Sequence, residues 1–286
     1  MSTVAHPRVT ATSTGRTSRP VWAVLARAES RHLVRHPAFV VGAAAMSAIL
    51  ILTTVAGVDF SALALSGLAC LPLAVGTFVA ANLASRRDVR SGTEELLCPL
   101  PTTAVVRTAA QLVAVAAAAL VAVAAVGLTV TVLTALDGPE VRFAGGIEQR
   151  LPSVAELAQG PVAVAALGLA GIAVGRLVPI PLVAPVLAGV LVFSVWPEGQ
   201  LRWFAPVVNP ALTVPGGYWP HPEIAPRTEL LGFDVTSLGW HLLYLAGLGG
   251  LAAGLALARH RLTPATAGLP AVALAATAVG AVLQLR

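Results

Sequence analysis

Few side chains in this chain could do chemistry, and their spacing forms no catalytic set. There is no His-Glu-x-x-His, which places two zinc ligands and a general base on one helix, and no Gly-x-Ser-x-Gly, which exposes a serine nucleophile. Glu94 and Glu95 are paired carboxylates, but no His or Arg partner follows them at helical spacing. His221 and Glu223 are too few ligands for a zinc site. The sequence therefore disfavours an enzyme and predicts no bound metal.

The basic residues also exclude whole classes of chemistry. All 18 of them are arginines. A Walker-type phosphate loop needs a Lys that reaches the nucleotide phosphates, and Schiff-base catalysis needs a Lys amine. Cys70 lies in an apolar run and Cys98 in a polar loop, so we expect both thiols to pack as small hydrophobic groups rather than pair or bind metal. No cofactor is predicted in this chain.

The composition predicts an all-α polytopic integral membrane protein. Apolar residues make up 57% of the chain and charged residues only 11%, against about 25% in a soluble domain. The mean hydropathy is +0.83. Too little polar surface remains to cover a soluble globule of this length. The excess of Arg, Ala, Val, Gly and Leu is typical of a GC-rich bacterial genome.

Six to seven transmembrane helices are predicted from the charge-free runs, because a helix needs about 20 apolar residues to cross the bilayer. A run at 203–222 is set aside because it contains five prolines, which interrupt a helix. The Gly160-Pro161 pair is expected to kink the fourth span or to mark its start. These runs predict a six-helix domain over 38–258 and an additional transmembrane or interfacial helix over 262–286. The seven runs are 36–58, 60–85, 108–136, 157–175, 177–197, 235–258 and 262–285.

The arginines predict the orientation, since cytoplasmic loops are enriched in basic residues. A cytoplasmic N-terminus with seven alternating spans places thirteen of the 18 arginines inside and nine of the 13 carboxylates outside. We therefore expect a multi-pass cell-membrane protein. If 262–285 is a hairpin or an interfacial segment instead of a span, the C-terminus stays inside.

The N-terminal region is predicted to contain a tail and an amphipathic helix. Residues 1–18 have no apolar core and are interpreted as a disordered cytoplasmic tail rather than a signal or transit peptide. Residues 19–37 fit a helix lying in the headgroup plane, with Pro37 ending it and Trp22 on its apolar side. The alternative is a soluble cytoplasmic helix. The basic positions recur every four residues and share one helical face: Arg27, Arg31 and Arg35.

The interiors of the predicted spans contain no Asp, Glu, Lys or Arg. Ion-coupled transporters usually place such residues within the bilayer. His241 lies near the outer end of the sixth span, where an interfacial hydrogen-bonding role is favoured over a proton relay. The small residues of 66–69 indicate close helix packing. If this protein transports a substrate, we expect its energy to enter from outside the spans.

The outer segment 197–236 combines aromatic side chains with several prolines and Gly216-Gly217. Aromatic rings with a polar edge prefer the membrane interface, and irregular backbone within a membrane must be shielded by protein or line a cavity. We expect this segment to re-enter or to cap the outer leaflet.

The cytoplasmic loop 85–107 contains start and stop signals for a short helix. Ser91 and Glu94 match a capping box, and Pro99 and Pro101 end the helix after about two turns. Thr102 or Thr103 is then expected to cap the third span.

This arrangement resembles the permease subunit of an ABC-2 type exporter. The resemblance rests on the basic N-terminal helix, the loop "RSGTEELLCPLPTTAVVRTAAQL" and the outer segment, over roughly 20–260. It implies that the loop carries a coupling helix that docks on a separate ATPase subunit, where ATP and Mg bind. The residues assigned to this coupling role are Arg86, Arg87, Asp88, Arg90, Ser91, Gly92, Thr93, Glu94, Glu95, Leu96, Leu97 and Arg107.

The resemblance further implies a second permease copy or a sister permease, a surrounding lipid bilayer, and a hydrophobic or amphipathic substrate. No nucleic-acid partner is expected. The alternative is a polytopic scaffold or assembly protein that transports nothing, in which Arg86, Arg87 and Arg90 only set the membrane topology.

Overall fold

The structure is a computed structural model, and helices make up nearly all of the part that it describes. The helices are α1 (Val21–Arg35), α2 (Pro37–Val55), α3 (Ala62–Ser85), α4 (Ala104–Leu136), α5 (Val154–Leu177), α6 (Val235–Ala258) and α7 (Pro264–Leu283). The described residues are 21–55, 62–87, 103–136, 140–143, 146–149, 153–178, 180, 183, 185–187, 235–259 and 264–283.

The described helices indicate a membrane protein. Ala104–Ala135, Val154–Leu177 and Gly239–Ala258 are each long and apolar enough to cross a membrane. A fourth span results if α1 and α2, which meet at an angle of 61°, count as one broken span. The predicted tail 1–18, most of the predicted span 177–197 and most of the outer segment 197–236 lie outside the described residues.

The helix boundaries follow local signals. Pro37 is the first residue of α2, a position where its missing N–H costs nothing. The hydroxyl of Thr103 accepts a hydrogen bond from the nitrogen of Val106 at 3.3 Å, which confirms a threonine cap at the start of α4. The prediction that Gly160-Pro161 could mark a helix start is wrong, because α5 begins at Val154 and contains Pro161.

One element departs from the all-α prediction. Between α4 and α5, β1 (Glu140–Phe143) and β2 (Gly146–Gln149) pair as an antiparallel hairpin in which Phe143 lies opposite Gly146. The sequence places this region between the predicted spans 108–136 and 157–175 and predicts no element in it. Strands of four residues are too short for their alternation to stand out in the sequence.

The core lies between α3 and α5, which pack against each other along their lengths. In the apolar window of α5, 61% of residues are buried, against 33% in that of α4. On one side, α2 packs on α3. On another, α6 packs on α5 and α7 packs on α6, while α1 packs on α4. The outer helices α2, α4 and α7 expose rows of Val, Leu and Ile side chains, as lipid-facing helices do.

Candidate functional site: the arginine end of the bundle

Four helices of the described part bring their polar termini to one end of the bundle. The C-terminal ends of α3 and α5, the first turns of α4 and the basic helix α1 are joined there by hydrogen bonds and an ion pair. We call this region the arginine end, after Arg86, Arg87, Arg107 and Arg176. It contains both attachment points of the segment 88–102, which lies outside the described residues.

Arg86 attaches the end of α3 to the chain that leaves α5. Its guanidinium donates to the carbonyl oxygen of Ile180 at 2.8 Å, and the residue is 8% exposed. A buried arginine requires hydrogen-bond acceptors to offset its desolvation. Here a backbone carbonyl just beyond α5 provides one, so the position of Arg86 is tied to the end of that helix.

Arg176 attaches the start of α4 to the end of α5. Its guanidinium donates to the side-chain oxygen of Gln111 at 3.0 Å, in a buried contact. The predicted topology placed Arg176 in a short loop and Gln111 near a span end. The structure instead places Arg176 in the last turn of α5. As a result, both helices that flank the segment 88–102 are tied to the region where α5 ends, through Ile180 just beyond the helix and through Arg176 in its last turn.

Arg87 links α3 to α1. Its guanidinium lies 3.2 Å from a carboxylate oxygen of Glu29, and the two side chains are 49% and 16% exposed. A partly exposed ion pair of this kind stabilises by about 1 kcal/mol at most. Its significance is positional, because it holds a residue of α1 beside the last turn of α3.

Helix α1 has a basic outer side and a buried side. Ala26 and Leu33 are buried, and the helix packs mainly on α4. Trp22, predicted for the apolar side, is 53% exposed. The three arginines of the predicted basic face are all exposed: Arg27, Arg31 and Arg35. Contact between this face and lipid headgroups stays a prediction.

Close packing behind the arginines makes α3 and α5 act as one unit. The side-chain amide of Asn82 donates to the carbonyl oxygen of Gly171 at 3.2 Å, and the Ser85 hydroxyl donates to the carbonyl oxygen of Asn82 at 2.8 Å. A Cβ on Gly175 would overlap Ser85 Oγ, so only glycine allows this approach. Displacement of the α3 terminus would therefore also move α5.

The predicted coupling residues divide into two groups. Arg86, Arg87 and Arg107 lie at the arginine end, and Arg107 is half-buried in the first turn of α4. The remaining ones lie outside the described residues: Asp88, Arg90, Ser91, Gly92, Thr93, Glu94, Glu95, Leu96 and Leu97. Arg176 and Gln111, whose contact no local pattern reveals, are the site residues that the sequence prediction missed.

The sequence prediction also missed a capping box at the opposite end of α5, its N-terminus. Ser153 accepts a hydrogen bond from the nitrogen of Glu156, whose carboxylate accepts one from the nitrogen of Ser153 at 2.6 Å. The Ser-x-x-Glu spacing before an apolar run is the same signal that predicts a cap at Ser91 and Glu94. His241, predicted near an interface, is buried in α6 and 2% exposed.

The described residues contain no group of three or more His, Cys, Asp or Glu side chains that could hold a metal ion. No family model, characterised protein or solved structure matches this chain. The arrangement of the arginine end is therefore the main indication of function.

Proposed function

We propose that this chain is the membrane-spanning permease subunit of an ATP-binding-cassette exporter. It would move a hydrophobic or amphipathic substrate, with energy from ATP hydrolysed by a separate subunit. In this proposal the chain forms six to seven spans in the cell membrane, with its N-terminus in the cytoplasm and α1 in the headgroup plane. A second permease, either a copy or a sister chain, would complete the pathway.

One observation supports the proposal most directly: the helices on either side of the segment 88–102 are both hydrogen-bonded to the region where α5 ends. Arg86 reaches the carbonyl of Ile180, and Arg176 reaches Gln111. A force applied to the segment would therefore reach α3, α4 and α5 together. Such a connection is what an external motor requires, whereas a loop that only sets topology requires no connection to a buried helix.

The rigidity of α3 and α5 supports the same mechanism. Because the Asn82–Gly171 hydrogen bond and the glycine contacts hold these helices together, a push at the arginine end would tilt them as a pair. A paired tilt would open one face of the bundle and close the other, which is the change that alternating access needs. ATP and Mg would bind in the partner, and the residues of this chain would only receive and transmit the motion.

The test is charge reversal in the predicted coupling helix. We expect the double variant Glu94→Arg/Glu95→Arg to lose copurification with the ATPase subunit that this proposal requires, and to lose ATP-dependent export from inverted vesicles. Reversal of two charges at a docking surface typically costs several kcal/mol of binding energy. The matched control is Glu148→Arg, in β2, which the predicted topology places on the opposite side of the membrane.

Two results would contradict the proposal. Undiminished ATPase binding and transport in the Glu94→Arg/Glu95→Arg variant would remove the coupling role of the loop. Absence of any ATPase among neighbouring genes and copurified proteins would instead favour the scaffold. Equal loss in the Glu148→Arg control would show that charge reversal damages folding rather than docking.

A further inference from the structure

A cleft of about 490 Å³ lies between α1 and α3 at the arginine end. Its described lining divides by chemistry into nitrogen-bearing and apolar side chains. The nitrogen-bearing ones are His32, His36 and Arg87. The apolar ones are Leu33, Ala80, Leu83 and Ala84. Among the described residues, the lining contains no carboxylate; Glu29 lies beside it, paired with Arg87.

His36 presents a hydrogen-bond donor. It lies in the one-residue break between α1 and α2, and its Nδ1 accepts a hydrogen bond from the nitrogen of Ala38 at 3.2 Å. An imidazole that accepts at Nδ1 carries its proton on Nε2. The ring therefore offers an N–H donor to an acceptor of another molecule.

Arg87 adds a positive charge to the same cleft. Its side chain is half exposed, and the ion pair with Glu29 holds it beside α1. A guanidinium recognises phosphate oxygens through a planar set of N–H donors. His32, exposed on the next turn of α1 before His36, adds another ring nitrogen. Together these groups favour an oxyanion with several acceptor oxygens.

The apolar wall restricts what kind of phosphate fits. Leu33 and Ala80 are buried, and Leu83 and Ala84 are half-buried in the last turn of α3, shortly before Arg87. A small free anion would leave these carbon atoms unused, whereas a molecule with an alkyl chain attached to its phosphate would cover them. Basic side chains on the inner side of a membrane helix bundle favour lipid headgroups in this way.

We propose that the cleft between α1 and α3 binds the phosphate of an anionic glycerophospholipid, with His36 and Arg87 as donors and Leu33 and Leu83 against the start of an acyl chain. The bound lipid would fill the angle between α1 and α3 and hold α1 at the membrane surface. This inference needs neither the ATPase nor the transported substrate, so it stands or fails separately from the proposed function.

The experiment measures lipid retention by the purified full-length chain in detergent, using native mass spectrometry. The probes are dioleoyl-phosphatidylglycerol, dioleoyl-phosphatidylcholine and inorganic phosphate. We expect preferential retention of phosphatidylglycerol. Arg87→Gln should weaken it about tenfold, as expected for loss of a charge-assisted hydrogen bond. Leu83→Trp, which fills the cleft and leaves the charges intact, should weaken it as well.

Two control variants separate binding from other effects. Glu29→Gln breaks the same ion pair as Arg87→Gln but keeps the cation, so phosphatidylglycerol should stay bound. Arg259→Gln removes one exposed charge next to the end of α6, outside the cleft, and should also leave retention unchanged.

Four results would overturn the proposal. Equal loss in Glu29→Gln and Arg87→Gln would show that the ion pair only maintains structure. Equal loss in Arg259→Gln would show general attraction of the lipid to the basic residues of this chain. Displacement of the lipid by millimolar inorganic phosphate would assign the cleft to a free anion. If the Arg87→Gln variant loses its helical circular dichroism signal, the test depends on the Leu83→Trp variant. Unchanged retention of phosphatidylglycerol by Leu83→Trp would then refute the site.

Discussion

Several pairs of helices in this bundle approach each other through glycine, and two of these pairs differ in what else joins them. In the α3–α5 pair, a Cβ on Gly171 would overlap the carbonyl oxygen of Phe78. In the α6–α7 pair, a Cβ on Gly247 would lie 2.5 Å from Thr277 Oγ1. Small residues let helix backbones approach closely in both pairs, as is common in membranes.

The α3–α5 pair adds hydrogen bonds between its helices. Pro161 lacks an N–H, so the carbonyl oxygen of Leu157, four residues earlier, has no helical donor. The Ser66 hydroxyl donates to that oxygen at 2.9 Å and accepts from the nitrogen of Gly160 at 3.1 Å. A residue of α3 thus replaces the hydrogen bond that proline removes from α5.

The polar side chain at the α6–α7 contact behaves differently. Thr277 donates its hydroxyl back to the carbonyl oxygen of Ala273 on its own helix, at 2.8 Å. Helix α7 also exposes apolar side chains and, among described elements, packs extensively only on α6. Helix α5, in contrast, lies between α3, α4 and α6. The comparison indicates a fixed central pair and a peripheral helix that is free to move outward.

The largest effect is expected from Gly171→Ala. The added methyl group would overlap a backbone carbonyl of α3, and α5 has neighbours on several sides and cannot shift away. We expect the free energy of unfolding in bicelles to fall by about 3 kcal/mol, the upper part of the range for overpacking. The measurement is a steric-trapping or denaturant unfolding curve.

Gly127→Ala is the matched control for that substitution. Gly127 lies in α4, and a Cβ there would have no neighbour within 4 Å. The same change should leave stability unchanged or raise it by up to about 1 kcal/mol, because alanine favours helix. A similar loss in both variants would show that close packing of α3 on α5 is not the cause.

Gly247→Ala tests the peripheral pair and should cost less. Its Cβ would also lie 2.6 Å from the nitrogen of Thr277, so α7 must move. Because α7 has an exposed side, it can shift outward, and we expect a loss of about 1 kcal/mol, the lower end of the overpacking range. Cysteine cross-linking between α6 and α7 would detect the shift. A loss as large as that of Gly171→Ala would contradict the contrast between the two pairs.

Ser66→Ala tests the hydrogen bond that distinguishes the central pair. Its removal leaves the carbonyl of Leu157 without the Ser66 donor, and we expect a loss of about 1 kcal/mol. In a Pro161→Ala background, the restored N–H can donate to the same oxygen. Ser66→Ala should then cost measurably less in a double-mutant cycle. Equal costs in both backgrounds would show that Ser66 does not compensate for the proline.

Local signals in the sequence predicted most of the described helix boundaries. The apolar runs 60–85 and 235–258 agree closely with α3 and α6, and the small residues of 66–69 do pack closely against another helix. The partner of Ser66 was not predictable, because it depends on the register between α3 and α5. The same holds for Arg176 and Gln111, which are 65 residues apart in the chain. Periodicity predicts which residues form helices but not which helices meet.

The smallest effect is expected from Thr277→Val. The lost hydroxyl bonds only to its own helix at Ala273, and valine keeps the shape that contacts Gly247. Back-bonding of this kind contributes little to helix stability, so the free energy of unfolding should stay within about 0.5 kcal/mol of the native value. The free energy of unfolding is measured in the same bicelles as for Ser66→Ala. A loss as large as that of Ser66→Ala would show that the two hydroxyls have the same role and would remove the distinction between the two helix pairs.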